Sequence, residues 1–291
     1  MKREKLWIVI AGLILLNCIT AALLIKNDHI DGSEAVATVG KEKVTRQDWL
    51  SEMESRYGKE TLEDLIDQKV IESAGKKYGI KVSKKAVERE MKMIKTMYGS
   101  SGGYQSADEE KWLQQIQNNL ILEELMTKDV KVSEKEMKKY YEEHTNLFHL
   151  PDSYHISKIV VLTKEEAEQT EKELKNGSSF SVLAMERSID EFTAYRGGDS
   201  GFISEKGGQY SKDFIANIKN VKPGSWSKPI KVDKGYAIVM VHEHVKGENY
   251  SFKEVKDQIR RQIALEQMGT PVSAKPFWQE TDVEWFYGNK E

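Results

Sequence analysis

The chain begins with a long apolar stretch. Residues 6–25 contain no charged side chain, whereas Lys2, Arg3 and Lys5 come just before them. A helix of about 20 residues is about 30 Å long and matches the apolar thickness of a bilayer. Positive charges are retained on the cytoplasmic side of a membrane. The pattern predicts a single-pass anchor that leaves residues 1–5 in the cytoplasm and places the body outside.

Two other fates of this segment compete with an anchor. A lipoprotein signal would acylate Cys18, but Asn17 stands before that cysteine where a small residue is expected. A cleaved signal peptide would end in a small-x-small site, and the apolar run continues past Ala21 and Ala22 without one. We therefore favour an uncleaved anchor, with lipidation of Cys18 as an alternative.

Helical periodicity dominates the chain from Thr45 to Phe148. A short alternation of apolar residues around Gly40 first predicts a hairpin over residues 35–44. One helix face is then marked by apolar residues four apart: Leu62, Ile66, Val70, Ala74 and Tyr78. This spacing predicts an amphipathic helix that ends at Gly79.

The periodicity changes at Pro151. Alternating apolar positions predict a strand over residues 154–162, Thr163 begins a capping box for the next helix, and residues 226–245 read as a hairpin. Helical spacing returns at Ser251. This order of elements predicts a compact α+β domain between two helical flanks.

Composition narrows the classes of function. The chain has 291 residues, a formal net charge of −3 and one cysteine. The near-neutral balance excludes a strongly basic nucleic-acid binder, and a single cysteine excludes a disulfide framework or a cysteine-based metal site. His242 and His244 would suit a metal pair, but no third ligand lies close in sequence, so we interpret them as a solvated strand end.

Several short segments of the central block carry a pattern in a fixed order. They are Tyr154-His155-Ile156-Ser157-Lys158-Ile159-Val160, Phe180-Ser181-Val182-Leu183-Ala184, Ser188 with Asp190, Gly197-Gly198-Asp199-Ser200-Gly201-Phe202, Phe214, Val221-Lys222-Pro223-Gly224 and Gly235-Tyr236-Ala237-Ile238-Val239. In this order they resemble the parvulin-type (PpiC or rotamase) peptidyl-prolyl isomerases. The flanking segments look like the chaperone portion of extracytoplasmic foldases of the PrsA and SurA type.

The resemblance completes the predicted fold class and domain organisation. We expect an α+β protein with an N-terminal transmembrane helix, a mostly helical chaperone-like domain formed by both flanks, and an inserted parvulin-like α+β domain. The predicted parts are cytoplasmic residues 1–5, anchor 6–25, linker 26–34, helical chaperone-like domain 35–150, parvulin-like domain 151–246 and a helical C-terminal part, 247–291, that packs on the first helical part.

The resemblance also implies catalytic residues. His155 matches the histidine of the family's first strand, and Asp190 matches the Asp-or-Cys position after the second helix. Ser157 is two residues beyond His155 and shares its strand face, so it joins them as a predicted catalytic residue. Ala237 stands where the family has a second histidine, which predicts reduced rather than abolished activity.

A proline pocket is expected beside these residues. Tyr210 takes the place of a usual methionine, Phe214 matches the aromatic residue of the pocket, and Ile203 is predicted to help line it. The reaction needs such an apolar cup, because an isomerase must hold the twisted amide more tightly than either planar form. It needs no metal, cofactor or nucleophile.

The implied function is a peptidyl-prolyl isomerase that assists the folding of exported proteins at the outer face of a bacterial cytoplasmic membrane. Its expected partners are unfolded or partly folded exported polypeptides with X-Pro bonds, and the membrane through the anchor, but not nucleic acid. The alternative is a holdase or foldase chaperone with a degenerate parvulin domain of little or no activity. Client identity and oligomeric state do not follow from the sequence.

Overall fold

The computed structural model describes residues 32–98, 109–204, 206, 208 and 210–288. Two compact units divide the chain: residues 1–66 with 284–291, and residues 67–283. The loop that the sequence predicts around residues 100–107 lies outside the described residues.

The described part of the first unit begins with a hairpin and a capped helix. Strand β1 (Ala35–Val39) pairs antiparallel with β2 (Glu42–Thr45). Helix α1 (Arg46–Lys77) begins directly after Thr45, whose hydroxyl donates to the Asp48 carboxylate at 2.7 Å and accepts from the Asp48 N–H at 3.1 Å. These contacts confirm the predicted hairpin and helix start.

The other described elements follow in chain order. The helices are α2 (Lys84–Tyr98), α3 (Glu109–Thr127), α4 (Glu134–Glu143), α5 (Thr145–Phe148), α6 (Lys164–Lys175), α7 (Phe180–Arg187), α8 (Glu191–Ala194), α9 (Lys212–Ile218), α10 (Phe252–Met268) and α11 (Lys275–Trp278), with a 3-10 turn at Gln279–Thr281. The strands are β3 (His149–Leu150), β4 (Ser153–Val161), β5 (Asp199–Ser204), β6 (Ser225–Trp226), β7 (Ile230–Val232), β8 (Gly235–Val245) and β9 (Glu248–Asn249).

Helices from both sides of the sheet domain pack on one another. Helix α10, which follows the sheet in sequence, lies against α3 and α4, which precede it. Arg261 of α10 is buried and forms ion pairs with Glu123 at 3.2 Å and Glu124 at 3.0 Å on α3. Ile259 of α10 and Met137 of α4 belong to one apolar cluster. This packing supports a helical body built from both flanks, whose boundaries stay a prediction.

The five-stranded sheet of the second unit is antiparallel and has the strand order β5-β4-β8-β6, with β7 also paired to β8, while β3 and β9 form a separate pair. Because side chains alternate along a strand, β4 contributes to two cores. On one face Ile156 packs with Phe214 and Ile218 of α9, and on the other Ile159 packs with Leu183 of α7. The central strands β4 and β8 therefore lie between two buried apolar clusters, one on each face of the sheet.

The structure corrects the prediction of an N-terminal transmembrane helix. Residues 6–25 lie outside the described residues, and none of the helices in the described ranges is both long and apolar enough to span a bilayer. Helix α1 has sufficient length at 32 residues, but charged side chains occur along all of it. The fold class supported is α+β. The predicted transmembrane helix, and with it the predicted single-pass location in the cytoplasmic membrane, is not supported by the described residues.

Candidate active site

Lys158 interrupts an otherwise buried strand. Every residue of β4 is buried except Lys158, which is partly exposed. Ile156 and Val160 belong to the apolar cluster that contains Phe214. Since positions two apart share a strand face, Lys158 lies on the Phe214 side of the sheet. A charged side chain in this position must find partners near the sheet surface.

Asp190 is the ionic partner of Lys158. Lys158 Nζ donates to Asp190 Oδ2 at 2.9 Å, and both side chains are only 17% exposed. The Thr193 hydroxyl also donates to Asp190 Oδ2, at 2.8 Å. Burial raises the pKa of Asp190, but the hydrogen bonds from Lys158 and Thr193 outweigh it and hold the pKa below its ordinary value.

The Lys158 ammonium also reaches an aromatic stack. Its Nζ donates to the Tyr210 hydroxyl at 3.2 Å and lies 5.1 Å from the centre of the Tyr210 ring. Burial lowers the pKa of Lys158, but hydrogen bonds to Asp190 and Tyr210 outweigh it and leave the pKa raised. The pair is therefore charged at neutral pH.

Tyr210 stacks on Phe214. Their ring centres are 4.7 Å apart, with an angle of 18° between the planes. Phe214 and Ile203 are buried in one apolar cluster, against which the partly buried Tyr210 packs. The solvent-facing surface here therefore combines the Tyr210 ring, which rests on Phe214, with the Lys158 ammonium group, which is bonded to Asp190.

The segment that carries Asp190 is tied to β4 at both ends. The Ile189 N–H donates to the Val160 carbonyl at 2.8 Å, and the Lys158 N–H donates to the Gly198 carbonyl at 2.9 Å. Gly198 has a φ of +83°, and a Cβ there would lie 2.4 Å from the Lys158 carbonyl oxygen, so this approach requires glycine. Asp190 is thus held opposite Lys158 by the backbone itself.

A second polar cluster lies on the other face of β4. His155 Nε2 is 3.0 Å from Asp199 Oδ1, and Ser157 Oγ is 2.8 Å from His242 Nε2. The two imidazole centres are 4.9 Å apart. Partial burial of the imidazole lowers the pKa of His242, and the neighbouring His155 lowers it further. Part of the His242 side chain remains exposed to solvent.

Neither cluster is arranged as a metal centre. Among the described residues, no group of three or more His, Cys, Asp or Glu side chains is placed to hold a metal ion. His242 bonds to Ser157, whereas His244 lies 3.3 Å from Asp152 Oδ2 and stacks on Tyr154. The two histidines that the sequence raised as a metal pair thus have separate partners.

Comparisons with known proteins assign the family. Residues 132–257 match the family of PPIC-type PPIASE domains. The chain is 44% identical to YacD of Bacillus subtilis (strain 168), over 100% of this chain and 99% of YacD. It belongs to the PpiC-type peptidyl-prolyl isomerases. The foldase protein PrsA of Geobacillus kaustophilus (strain HTA426) is 34% identical, over 89% of this chain and 85% of PrsA.

One solved structure of PrsA matches most of the chain at a low TM-score. The crystal structure of PrsA from Bacillus subtilis is matched over 89% of this chain and 96% of that chain, with 24% identity and a TM-score of 0.34. The family match and the two relatives, YacD and PrsA of Geobacillus kaustophilus, show that the chain is a parvulin-type peptidyl-prolyl cis–trans isomerase of the foldase kind. The comparisons give the holdase alternative no stronger support.

The structure divides the predicted site residues of this PpiC-type isomerase between the two clusters. Asp190 and the predicted pocket residue Tyr210 contact Lys158, and the other two pocket residues, Phe214 and Ile203, lie in the apolar cluster against which Tyr210 packs. His155 and Ser157 lie in the other cluster. Lys158 itself was not singled out from the sequence. The sequence feature that indicates Lys158 is a single charged residue within the alternating apolar strand of the motif at residues 154–160.

Proposed function

We propose that Lys158, Asp190 and Tyr210 form the surface on which this isomerase twists the X-Pro bond of an unfolded polypeptide. The observation that carries the proposal is the charged Lys158–Asp190 pair, with 2.9 Å between Nζ and Oδ2, beside the stacked rings of Tyr210 and Phe214. It joins an apolar platform with a hydrogen-bond donor at one place.

The reaction requires both parts. Rotation about the peptide bond breaks no covalent bond but loses amide resonance, and its barrier is about 18–20 kcal/mol. The twisted amide has a more basic nitrogen and a more ketone-like carbonyl than the planar amide. A donor therefore binds the twisted nitrogen more strongly than the planar one, which is the condition for catalysis.

Lys158 is the proposed donor to the twisted amide. Its three N–H groups supply bonds to Asp190 and Tyr210 and leave one for the substrate. Asp190 is proposed as a positioning residue, because it fixes the direction of the ammonium group. A hydrogen bond that involves a charged group contributes about 1.5–3 kcal/mol.

Tyr210 is the proposed contact for the proline ring. Its inner side rests on Phe214, which is buried, so the substrate meets the outer side of Tyr210. Phe214 and Ile203 then act from beneath by fixing the position of that ring. Apolar contact with an aromatic face suits the pyrrolidine ring and removes water from the bond that rotates.

For His155 and Ser157 we propose a positioning role through the sheet. Each is joined to a neighbouring strand, His155 to Asp199 on β5 and Ser157 to His242 on β8. These bonds span β4 at two irregularities of its register, between His155 and Ile156 on one side and between Ile156 and Ser157 on the other. They would set the position of Lys158 on the opposite face.

The experiment compares the two clusters in a protease-coupled proline-peptide assay. Lys158→Met keeps the side-chain length without the charge. We expect kcat/KM to fall about 10- to 100-fold, since about 1.4 kcal/mol corresponds to a factor of ten. Asp190→Asn is expected to reduce it less, because the ammonium group remains.

His155→Ala is the matched comparison from the opposite face. A smaller loss than that of Lys158→Met is expected, with all variants checked for folding by circular dichroism. If His155→Ala abolishes catalysis while Lys158→Met retains wild-type rates, the proposed site is wrong and the reaction belongs to the His155 cluster.

A further inference from the structure

Two aromatic side chains stand in solvent immediately after Asp190. Phe192 is 85% exposed and Tyr195 is 71% exposed, both in or next to the short helix α8. Contiguous exposed apolar patches mark surfaces for binding, whereas apolar side chains that are scattered singly need no explanation. Phe192 and Tyr195 are three residues apart on one short segment, the spacing at which side chains are neighbours on a helix surface.

The segment holds Phe192 in a defined place. Thr193, the next residue after Phe192, donates its hydroxyl to Asp190 Oδ2 at 2.8 Å. The N–H groups of Thr193 and Ala194 donate to the Asp190 carbonyl at 3.1 Å and 2.9 Å. Both ends of the segment are bonded to β4, so the backbone that carries the ring is already fixed. Little conformational entropy of this backbone would therefore be lost when a ligand binds.

Phe192 is linked to the proposed reaction site through Asp190. Two residues of extended chain span about 7 Å at most, so the Phe192 backbone lies within that distance of Asp190. Asp190 in turn contacts Lys158, whose Nζ is 5.1 Å from the centre of the Tyr210 ring. Tyr210 and the segment that carries Phe192 are therefore joined through one ammonium group, and a client whose proline rests on Tyr210 would have its neighbouring residues beside that segment.

We propose that Phe192 binds an aromatic or large aliphatic side chain of the client, one or two residues from the isomerising proline, and so determines substrate preference. This inference rests on the proposed function, because it uses the same site. The ring of Phe192 offers apolar area and no charge, which selects apolar over charged neighbours of the proline. Tyr195 would widen the same contact.

The test measures kcat/KM for two peptide series, with the residue before proline varied in one and the residue after proline varied in the other among Phe, Leu, Ala and Glu. Phe192→Ala is expected to reduce kcat/KM about three- to tenfold for the Phe and Leu peptides of at least one series. The Ala and Glu peptides should change little. A fluorescence-anisotropy titration with a Phe-Pro peptide gives binding independently of turnover.

Two control variants make the assignment specific. Phe286→Ala removes an equally exposed phenylalanine, 82% exposed, in the first unit. Leu162→Ala removes a 64% exposed side chain from an open groove of about 480 Å³. Ile189, which precedes Asp190 in sequence whereas Phe192 follows it, also lines this groove. Neither should alter preference between peptides.

Four results would overturn the inference. The first is that Phe192→Ala leaves both the substrate preference and the peptide affinity unchanged, and the second is that it lowers kcat/KM equally for all peptides. The third is that Leu162→Ala changes the preference instead, and the fourth is that Phe192→Ala changes the oligomeric state in analytical ultracentrifugation. If wild type accelerates no peptide, the proposed function fails, but loss of Phe-Pro affinity in Phe192→Ala would still support the contact. The two failures are therefore distinguishable.

Discussion

Ala237 offers a direct test of whether a missing histidine limits the activity of this isomerase. The side chain is 1% exposed and belongs to the apolar cluster around Phe214. Val160 on β4 and Ile230 on β7 are its cross-strand neighbours. The structure therefore makes residue 237 part of a packed core, and we expect Ala237→His to damage folding rather than restore a catalytic group.

The magnitude follows from two costs. Extra atoms forced into a close-packed core destabilise by about 1–3 kcal/mol. A buried imidazole nitrogen without a partner costs about 1–3 kcal/mol more. For a unit of about 150–250 residues, each kcal/mol lowers Tm by about 2–4 °C. The two costs together are about 2–6 kcal/mol, so we expect Ala237→His to melt about 4–24 °C below wild type.

The assay is thermal unfolding by circular dichroism, followed by isomerase rates at a temperature where both proteins are folded. Ala216→His is the matched control, because Ala216 is exposed on α9 in the same sheet domain. It should leave Tm within about 1 °C of wild type, as surface substitutions do. An Ala237→His variant with wild-type Tm and a sharply higher rate would refute the packing argument and show an impaired natural site.

Two further predictions concern pH and backbone geometry. Because the pKa of His242 is lowered in the fold, partly by His155, the unfolded chain binds more protons below about pH 6.5, and stability should fall as pH decreases through that range. Urea titrations from pH 8 to 5 should show a weaker decline for His242→Gln, and an unchanged decline would contradict this. Gly198→Ala should lower both Tm and activity more than Gly177→Ala. Both glycines have positive φ, but only at residue 198 would a Cβ meet a backbone oxygen, that of Lys158 at 2.4 Å.

Local structure was readable where neighbouring residues determine it. The capping box that the sequence predicts at Thr163 is present, with Glu166 as its partner. Helix α1 ends at Lys77, two residues before Gly79, close to the predicted stop. Caps and amphipathic periods depend on residues three or four positions apart, so the sequence contains all their partners.

The candidate site was only partly readable because its contacts join distant segments. The order of the motifs was sufficient to indicate Asp190, Tyr210 and Phe214, which the structure gathers on one side of the sheet. It did not indicate that Lys158, rather than His155, faces them. Adjacent motif positions differ by a strand face, and a one-residue difference in alignment exchanges the two faces.

The sequence by itself determined the main secondary-structure elements, their order and the family, because helix and strand propensity, capping and motif spacing depend on residues that are close in sequence. The tertiary structure alone decided which charge meets which. Lys158 is paired with Asp190 because the backbone of Ile189 and Gly198 is bonded to β4 on either side of that carboxylate. Alternation gives a strand two faces, and only the packing of α9 on one of them determines where the aromatic platform lies.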